Sequence, residues 1–490
     1  MKNFNLFLIV SLAAILPGGN ALAQYSDAYR PQYHFTRPGP SWIGDPCAMV
    51  RYKGVYRLFS WDQQTSTDLV HWSIGGWPFQ GPIPPDNQIW TGSGVVDVHN
   101  SSGLGTTSNP PMILAYTLHH NETEQEHIAI ASSVNYVNFA SYNNGNPVLY
   151  GPTTVFRDPD VLWDEELGLW IMLLAQYNRI AIYTSTDLKS WQFKSHFGPV
   201  DGGWQFFECP GLARIPIKGV LNQTKWVLYC GPGTVNCQYW IGNFDGTTFT
   251  MDGAPQAQGL IVDAGSDFYA ARVIRDFDGG QCVHWLGWLA NWNYVRDLPT
   301  SFKSGWSIPR RLELQGTAQG YRLTQEPLAA LQGQRGPLAI GIPRKLQGLV
   351  PLTEFPPTKN TYELVANFKL TPQTQKFGFH LCVGDGKKVV LGYDVTGGYL
   401  FLDRTQSGDT SFSPAFPNVR TVPFSAPDGN VKFHIFVDQN SIEVFVNDGL
   451  VVFSSLIFPS PTSRGIELWS DNAIVQLKSL DAWMLKSVWQ

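Results

Sequence analysis

The sequence predicts an all-β protein, a five-bladed β-propeller followed by a C-terminal β-sandwich. A strand-and-turn phrase recurs along the first part of the chain, and the last part reads as apolar strands joined by tight turns. No segment combines the length and the apolar period of about 3.6 residues that an amphipathic helix shows. The 47 Gly and 34 Pro residues suit a chain with many turns.

The recurring phrase predicts the blades. An apolar strand leads into a polar turn, an aliphatic residue and then an aromatic residue, and the phrase returns about every 60 residues. Its four copies are 67–72, 135–139, 186–191 and 245–249. Sheets of four strands at that interval would number about five between residues 24 and 331, which is within the range known for propellers. An irregular β-sandwich with similar turns is the alternative interpretation.

A second domain is predicted where the repeat ends. Residues 332–350 interrupt the strand pattern with Gly and Pro and are expected to form a linker. Regular alternation returns at Tyr362, and the tip 447–449, Asn-Asp-Gly, lies between two apolar strands, which is a strong hairpin signal. Residues 351–490 are therefore predicted to form the β-sandwich.

Residues 1–23 are predicted to be a cleavable secretory signal. A basic residue precedes an apolar run at 4–16, and small residues at 21–23 supply a cleavage site. The run is shorter than the roughly 20 residues of a membrane-spanning helix, so a membrane anchor is the less favoured alternative. The mature protein is expected to be secreted, with no membrane association. The expected N-glycan acceptors are Asn100, Asn121 and Asn222.

Composition limits the class of partner. The net charge is −5 and 15% of residues are charged, so the chain lacks the basic surface that neutralises nucleic-acid phosphates, and no nucleic-acid partner is expected. Six cysteines among 490 residues are too few for a disulfide-stapled fold. Cys230 and Cys237 could bridge neighbouring strands or remain buried thiols, and the sequence does not choose between these.

Three carboxylates stand out because apolar or conformationally fixed residues bracket them. Asp45 and Asp158 each precede a proline, and Glu208 follows Phe206 and Phe207. In a propeller the three would fall about two blades and then one blade apart, so equivalent strands could direct them into one central funnel. Glycoside hydrolysis needs such carboxylates, because one attacks or steers water while another protonates the leaving oxygen. Taken singly, each acid could instead be a turn residue.

A series of motifs carries a family resemblance over nearly the whole mature chain. They are Trp42-Ile43-Gly44-Asp45-Pro46, Trp90-Thr91-Gly92-Ser93, Arg157-Asp158-Pro159, Glu208-Cys209-Pro210, Asp267-Phe268-Tyr269-Ala270, 287–292, 307–310 and 436–445. In this order they resemble the motifs of glycoside hydrolase family 32, the invertase, inulinase and levanase group that acts on β-fructofuranosides. The resemblance implies a five-bladed propeller with a β-sandwich, and a retaining enzyme that hydrolyses sucrose or fructans without a metal or other cofactor.

The resemblance also implies roles for individual residues. Asp45 would be the nucleophile, Glu208 the general acid and base, and Asp158 the stabiliser of the transition state. A retaining reaction needs the first two carboxyl groups about 5 Å apart, one ionised and one protonated. Neighbouring Phe side chains could keep Glu208 neutral by desolvation. The expected substrate-binding residues are Arg157, Trp61, Ser93, Tyr269, Trp288 and Trp292.

Two departures from the family pattern concern specificity. Gly44 stands before the nucleophile where the family has Asn, and Cys47 replaces a following Asn; a similar form occurs in some fungal transfructosylating enzymes. The segment 56–69 is shorter than in the family, with Ser60 and Trp61 where a Gln segment would begin. Loss of an amide that orients sugar and nucleophile predicts slower hydrolysis and some fructosyl transfer.

Two other functions and one other site are compatible with the sequence. A dedicated fructosyltransferase would share the covalent step and replace water with an acceptor hydroxyl. A catalytically idle fructan-binding propeller would keep the fold without turnover. The run 119–127 contains three His and three Glu residues that could bind metal, but it lacks a spacing of fixed geometry, so a solvated loop is favoured and no metal site is expected.

Overall fold

A computed structural model describes residues 27–233, 236–254, 257–280, 282–426 and 428–489. The predicted signal segment 1–23 lies outside these ranges. Within them the regular structure is β-strand, apart from short 3-10 turns at 142–145, 295–297 and 329–334, so the all-β prediction is confirmed. No helix in the described ranges is long and apolar enough to cross a membrane.

Five mainly antiparallel sheets form the propeller blades. Their strands are β1 (Met49–Tyr52), β2 (Val55–Ser60), β3 (Asp62–Ser66), β4 (Ser73–Ile74), β5 (Phe79–Gln80), β6 (Asn87–Val96), β7 (Met112–His120), β8 (Glu126–Ser133), β9 (Phe139–Ser141), β10 (Leu149–Tyr150), β11 (Arg157–Asp164), β12 (Leu169–Gln176), β13 (Arg179–Ser185), β14 (Gln192–Phe197), β15 (Phe207–Pro216), β16 (Thr224–Pro232), β17 (Gln238–Phe244), β18 (Phe249–Met251), β19 (Leu260–Ile261), β20 (Tyr269–Val273), β21 (Arg275–Asp276), β22 (Val283–Trp288), β23 (Arg310–Thr317) and β24 (Gly320–Pro327). The blades are, in order, β1–β4, β5–β10, β11–β14, β15–β19 and β20–β24. The exception is β21, which pairs parallel to β1 and so joins the last blade to the first.

The repeated phrase of the sequence forms a capped turn in each of the first four blades. Side-chain oxygens of Asp68, Asn135, Asp187 and Asp245 accept N–H groups from the residues two and three places later, at 2.7 to 3.0 Å. Such Asx turns satisfy the backbone where the chain reverses before β4, β9, β14 and β18. The fifth blade joins β23 to β24 through residues 318–319 alone, so it has no copy of the phrase.

β-Bulges shape the strands that line the propeller axis. The first long strands of neighbouring blades, β1, β6, β11, β15 and β20, pack side by side, and four of them shift register against their partners. Asp158, Cys209 and Ala270 lie within three of these bulges with φ of 59°, 48° and 49°. A bulge re-aims the side chains beside it, and it accommodates the prolines that follow Asp158 and Cys209 because it leaves a residue unpaired.

The C-terminal domain is a single sheet of eleven strands folded into a sandwich. The strands are β25 (Ala339–Gly341), β26 (Arg344–Pro351), β27 (Tyr362–Lys369), β28 (Lys376–Gly384), β29 (Lys387–Asp394), β30 (Tyr399–Asp403), β31 (Val419–Pro423), β32 (Asn430–Asp438), β33 (Ser441–Val446), β34 (Val451–Leu456) and β35 (Gly465–Met484). Along β35, β28 pairs with residues 465–470 and β26 with residues 467–477, while β27 pairs with 476–484 and β25 with 480–482. Buried aromatic and aliphatic side chains fill the space between the layers.

The segment expected as a linker, 332–350, differs from that expectation. It contains β25 and most of β26, both hydrogen-bonded to β35, so residues from 339 onward belong to the second domain. The Gly and Pro residues predicted a linker without strands, but pairing with a distant strand satisfies the backbone here.

The two domains meet across buried charges. Arg310 of β23 lies 2.7 Å from Glu443 of β33 and 3.0 Å from Asp263. His34 lies between Glu443 and Asp438, with a ring nitrogen 2.9 Å from each carboxylate. All five side chains are buried. Each charge faces an opposite one, as buried ions require.

Other expectations concern cysteines and glycan acceptors. All six cysteines are unpaired, and Cys230 and Cys237 are buried thiols. Asn121 and Asn222 are exposed, whereas Asn100 is half-buried and its Oδ1 accepts the N–H of Gly105 at 2.9 Å. Glycosylation at the three sites stays a prediction.

Candidate active site

Three carboxylates meet at one end of the propeller axis. Asp45 lies in the loop before β1, and Asp158 and Glu208 are the second residues of β11 and β15. Cys209 stands between them: its Sγ is 3.6 Å from Asp45 Oδ2 and 3.7 Å from Asp158 Oδ2, and its N–H donates to Asp158 Oδ2 at 2.9 Å. Arg157 links Glu208 to this group, since its Nη2 lies 3.0 Å from Glu208 Oε1 and its Nε lies 3.9 Å from Asp158 Oδ2, so all three acids surround one small volume.

Hydrogen-bond donors surround the Asp45 carboxylate. Thr91 Oγ1 donates to Asp45 Oδ2 at 2.7 Å, and the Cys209 thiol points to the same oxygen. Burial raises the pKa of Asp45, and these two donors partly offset that effect. Thr117 supports the arrangement, since its hydroxyl donates to the carbonyl of Thr91 and accepts the N–H of Asp158, both at 2.9 Å. These donated hydrogen bonds favour the ionised form of the carboxylate, against the effect of burial.

Two buried indoles hold the loop that carries Asp45. Trp288 donates to the carbonyl of Ile43 at 2.9 Å, and Trp306 donates to the carbonyl of Gly44 at 3.2 Å. The N–H of Gly44 donates to Ser60 Oγ at 3.3 Å. Trp288 was expected to line the pocket, but it is fully buried and acts from behind the loop, which corrects that expectation.

The Glu208 carboxyl group has a different environment. Arg157 Nη2 lies 3.0 Å from Glu208 Oε1, and the Tyr269 hydroxyl lies 2.6 Å from Oε2 and 2.5 Å from the carbonyl oxygen of Gly233. Tyrosine has one hydroxyl proton, so both short contacts are satisfied together when Glu208 carries a proton on Oε2. Burial raises the pKa of Glu208, although Arg157 opposes the rise.

Tyr269 was also expected to line the pocket. It is 1% exposed, and its ring is buried in the propeller core while its hydroxyl reaches the acid. The bulge at the start of β20 turns the side chain inward. Tyr269 is therefore a partner of Glu208 and not a wall of the pocket.

Arg157 joins the acids. Its Nη1 donates to Glu126 Oε1 and its Nη2 to Glu208 Oε1, each at 3.0 Å, while Nε lies 3.9 Å from Asp158 Oδ2. Burial would lower the pKa of Arg157, but the three carboxylates raise it, so the guanidinium stays charged.

Burial raises the pKa of Asp158 to about 7, and the charges of Glu208 and Asp45 add to the rise while Arg157 opposes it. Three carboxylates so close together cannot all ionise at mildly acidic pH. Such a cluster can hold an ionised and a protonated carboxyl group side by side, which is the pairing that a two-step displacement at a glycosidic carbon requires.

The other three residues expected to contact substrate, Ser93, Trp61 and Trp292, have three separate surroundings. Ser93 is 2% exposed and its Oγ accepts the N–H of Val161 at 2.9 Å, so it joins β6 to β11 and is not a substrate contact. Trp61 is half-buried at the turn between β2 and β3, against Phe79. Trp292 is 39% exposed and stacks on Trp42, with ring centroids 6.0 Å apart.

The structure also reveals residues to which the sequence analysis gave no role. Thr91 and Cys209 lie inside the motifs that carry the family resemblance, and that position was the sequence signal that could have found them. Glu126 belonged to the run 119–127, whose Glu residues suggested only a loop or a metal site. In that run His120 Nδ1 accepts N–H groups of residues 122 and 123 at 3.3 Å, and His127 Nδ1 accepts the N–H of Gly151 at 3.0 Å. The described ranges contain no group of three or more His, Cys, Asp or Glu residues placed to hold a metal ion.

Known proteins match the chain along most of its length. Residues 34–327 match the glycosyl hydrolases family 32 N-terminal domain, and residues 339–484 match the family 32 C terminal domain. A levanase of Bacillus subtilis (strain 168) is 38% identical over 500 residues, covering 95% of this chain and 72% of that protein. An extracellular exo-inulinase of Aspergillus awamori is 32% identical over 524 residues, covering 95% and 96%.

Solved structures share the architecture. The crystal structure of exo-inulinase from Aspergillus awamori superposes with a TM-score of 0.87 at 30% identity, covering 95% of this chain and all of that one. A variant of fructofuranosidase from Schwanniomyces occidentalis, complexed with fructosylnystose, gives 0.81 at 25% identity and covers 95% and 98%. The matches to the two domains agree with the propeller, the sandwich and the cluster of three acids. This chain therefore belongs to glycosyl hydrolase family 32.

Proposed function

We propose that this protein is a secreted, retaining β-fructofuranosidase that releases terminal fructose from sucrose and β-fructans such as levan or inulin. The observation that carries the proposal is the convergence of Asp45, Asp158 and Glu208 around Cys209, with donors on Asp45 and a proton-compatible environment at Glu208. Levanase and exo-inulinase relatives support the choice of substrate.

The first step forms a covalent intermediate. An Asp45 oxygen attacks the anomeric carbon of the fructosyl unit as the bond to the leaving oxygen breaks, and Glu208 gives its proton to that oxygen. Asp158 accepts hydrogen bonds from ring hydroxyls, which strengthen as positive charge develops on the sugar. The products are a fructosyl ester on Asp45 and a free alcohol.

The second step releases fructose. Glu208, now ionised, takes a proton from water, and the water oxygen attacks the anomeric carbon as the bond to Asp45 breaks. Two inversions at one carbon retain its configuration. Both carboxyl groups return to their starting protonation states, so the cycle needs no cofactor.

Transfer to a sugar acceptor is a second candidate activity. Gly44 places no side chain beside Asp45, and a Cβ built there would meet only the Trp42 indole nitrogen, at 3.4 Å. Trp42 and Trp292 form an exposed aromatic pair on the nucleophile loop side. Sugar rings pack on such faces, so an acceptor hydroxyl could compete with water. We propose that transfer accompanies hydrolysis at high substrate concentration.

Export is part of the proposal. Its support is the signal-like segment 1–23 and the relatives named as extracellular exo-inulinases. N-glycans at Asn100, Asn121 and Asn222 would follow in a host that glycosylates. Cleavage after residue 23 would be checked by N-terminal sequencing of the protein recovered from culture medium.

The deciding experiment is product analysis with sucrose, inulin and levan. We expect free fructose from the first time points, released as the β-anomer when observed by NMR before mutarotation. Asp45→Ala and Glu208→Ala should each lose at least about 1,000-fold in kcat, whereas Glu166→Ala, at an exposed ion pair, should not. Release of the α-anomer, or normal rates in either active-site variant, would contradict the mechanism, and binding without turnover would identify an idle fructan-binding protein.

A further inference from the structure

A fourth carboxylate lies behind the three at the reaction centre. Glu126, the first residue of β8, is 2% exposed. Its Oε2 accepts the N–H of Phe156 at 2.7 Å and its Oε1 accepts Arg157 Nη1 at 3.0 Å. Both carboxylate oxygens are therefore bound, and the mechanism described above leaves this side chain without a role.

The guanidinium of Arg157 links Glu126 to Glu208. Each of its two terminal nitrogens lies 3.0 Å from one of these carboxylates. Phe156, the residue before Arg157, donates its backbone N–H to Glu126, which holds the backbone next to Arg157. A planar guanidinium bound at both terminal nitrogens has little freedom to rotate. Glu126 thus fixes the side chain that contacts Glu208 Oε1.

Charge gives this arrangement a second consequence. An arginine beside a carboxyl group stabilises the ionised form, which works against a general acid that must carry a proton. A carboxylate on the opposite side of the same guanidinium offsets part of that positive charge. The other charged or titratable groups that face Glu208 are Tyr269, Asp45, Asp158 and the Cys209 thiol. On the side of Glu126, the ring of His119 on β7 lies 3.6 Å from Oε1.

We infer that Glu126 is a positioning residue that holds Arg157 and offsets its charge, so that Glu208 keeps the proton it donates to the leaving group. This inference rests on the proposed function, because it assigns Glu208 as the acid. Glu126 does not touch the substrate; it acts through Arg157.

The test compares charged and neutral side chains of the same size. Glu126→Gln should move the basic limb of the pH profile of kcat/KM on sucrose to lower pH by about one unit, because Arg157 then acts on Glu208 unopposed. Glu126→Asp keeps the charge and should leave the limb in place even if kcat falls. If Glu126→Gln does not fold, Glu126→Asn compared with Glu126→Asp provides the same contrast in a smaller pair.

Controls separate this inference from a purely structural role. Glu166 is an exposed carboxylate bound to Arg214, and Glu166→Gln should leave the basic limb of the pH profile unchanged. A uniform loss of rate in the neutral Glu126 variants, with the limb unmoved, would overturn the inference while leaving the proposed function intact. Failure of the proposed function would differ, since the wild-type protein would then release no fructose from any of the three substrates.

Discussion

Replacing His34 with Gln tests the buried charges that join the propeller to the sandwich. The His34 ring lies 2.9 Å from Asp438 and from Glu443, and Glu443 also binds Arg310. Burial by itself would lower the pKa of His34, but the hydrogen bonds and charges of the two carboxylates outweigh it and raise the pKa to about 9. The protonated ring therefore belongs to the folded interface.

The sign and size of the effect follow from that shift. The folded state binds the proton more tightly than the unfolded state, whose histidine has an ordinary pKa of 6.5. The stabilisation is fully present below pH 6.5 and is lost as the pH rises to about 9. A rise from 6.5 to about 9 corresponds to about 3 kcal/mol in the free energy of unfolding.

Urea unfolding at several pH values between 6 and 9 measures this contribution. The difference in unfolding free energy between wild type and His34→Gln should shrink by about 3 kcal/mol over that range. His99→Gln is the matched control, because His99 is half-exposed and 3.6 Å from Glu165. A difference that stays constant with pH would refute the reasoning.

Three predictions concern the reaction centre. Glu208→Gln should impair hydrolysis of sucrose far more than that of an activated aryl fructoside, since only the poor leaving group needs the proton; equal losses would remove Glu208 as the acid. Tyr269→Phe should lower kcat on sucrose about tenfold with little change in melting temperature, because Glu208 Oε2 loses its partner; an unchanged kcat would contradict that role. Gly44→Asn should raise the ratio of hydrolysis to transfer at high sucrose, and an unchanged ratio in the product analysis would refute the role of the missing amide.

Local chemistry explains what the sequence predicted well. The Asx turns at Asp68, Asn135, Asp187 and Asp245 depend on a few consecutive residues, so their repetition indicated the blades before any pairing was known. The hairpin tip at 447–449 is local in the same way. The three carboxylates were found because their proline and aromatic neighbours are unusual for acids. The sequence also sufficed for the family, which the matched domains confirm.

Long-range pairing decided the second domain's boundary. Residues 339–351 become strands because β35, more than 100 residues later, supplies their hydrogen bonds. No local signal marks that partnership. The same holds for the interface at His34, whose partners Asp438 and Glu443 come from the other end of the chain.

Side-chain direction at the site was decided by tertiary structure alone. Ser93 and Trp288 lie in motifs next to the reacting groups, yet the pleat and the packing turn both into the interior. The bulge at the start of β20 brings Tyr269 to Glu208, and a crossing from β8 to β11 brings Glu126 to Arg157. Successive strand residues point to opposite faces, and a bulge shifts that alternation by one, so the sequence determined which chemical groups are present while the register of distant strands determined which of them meet.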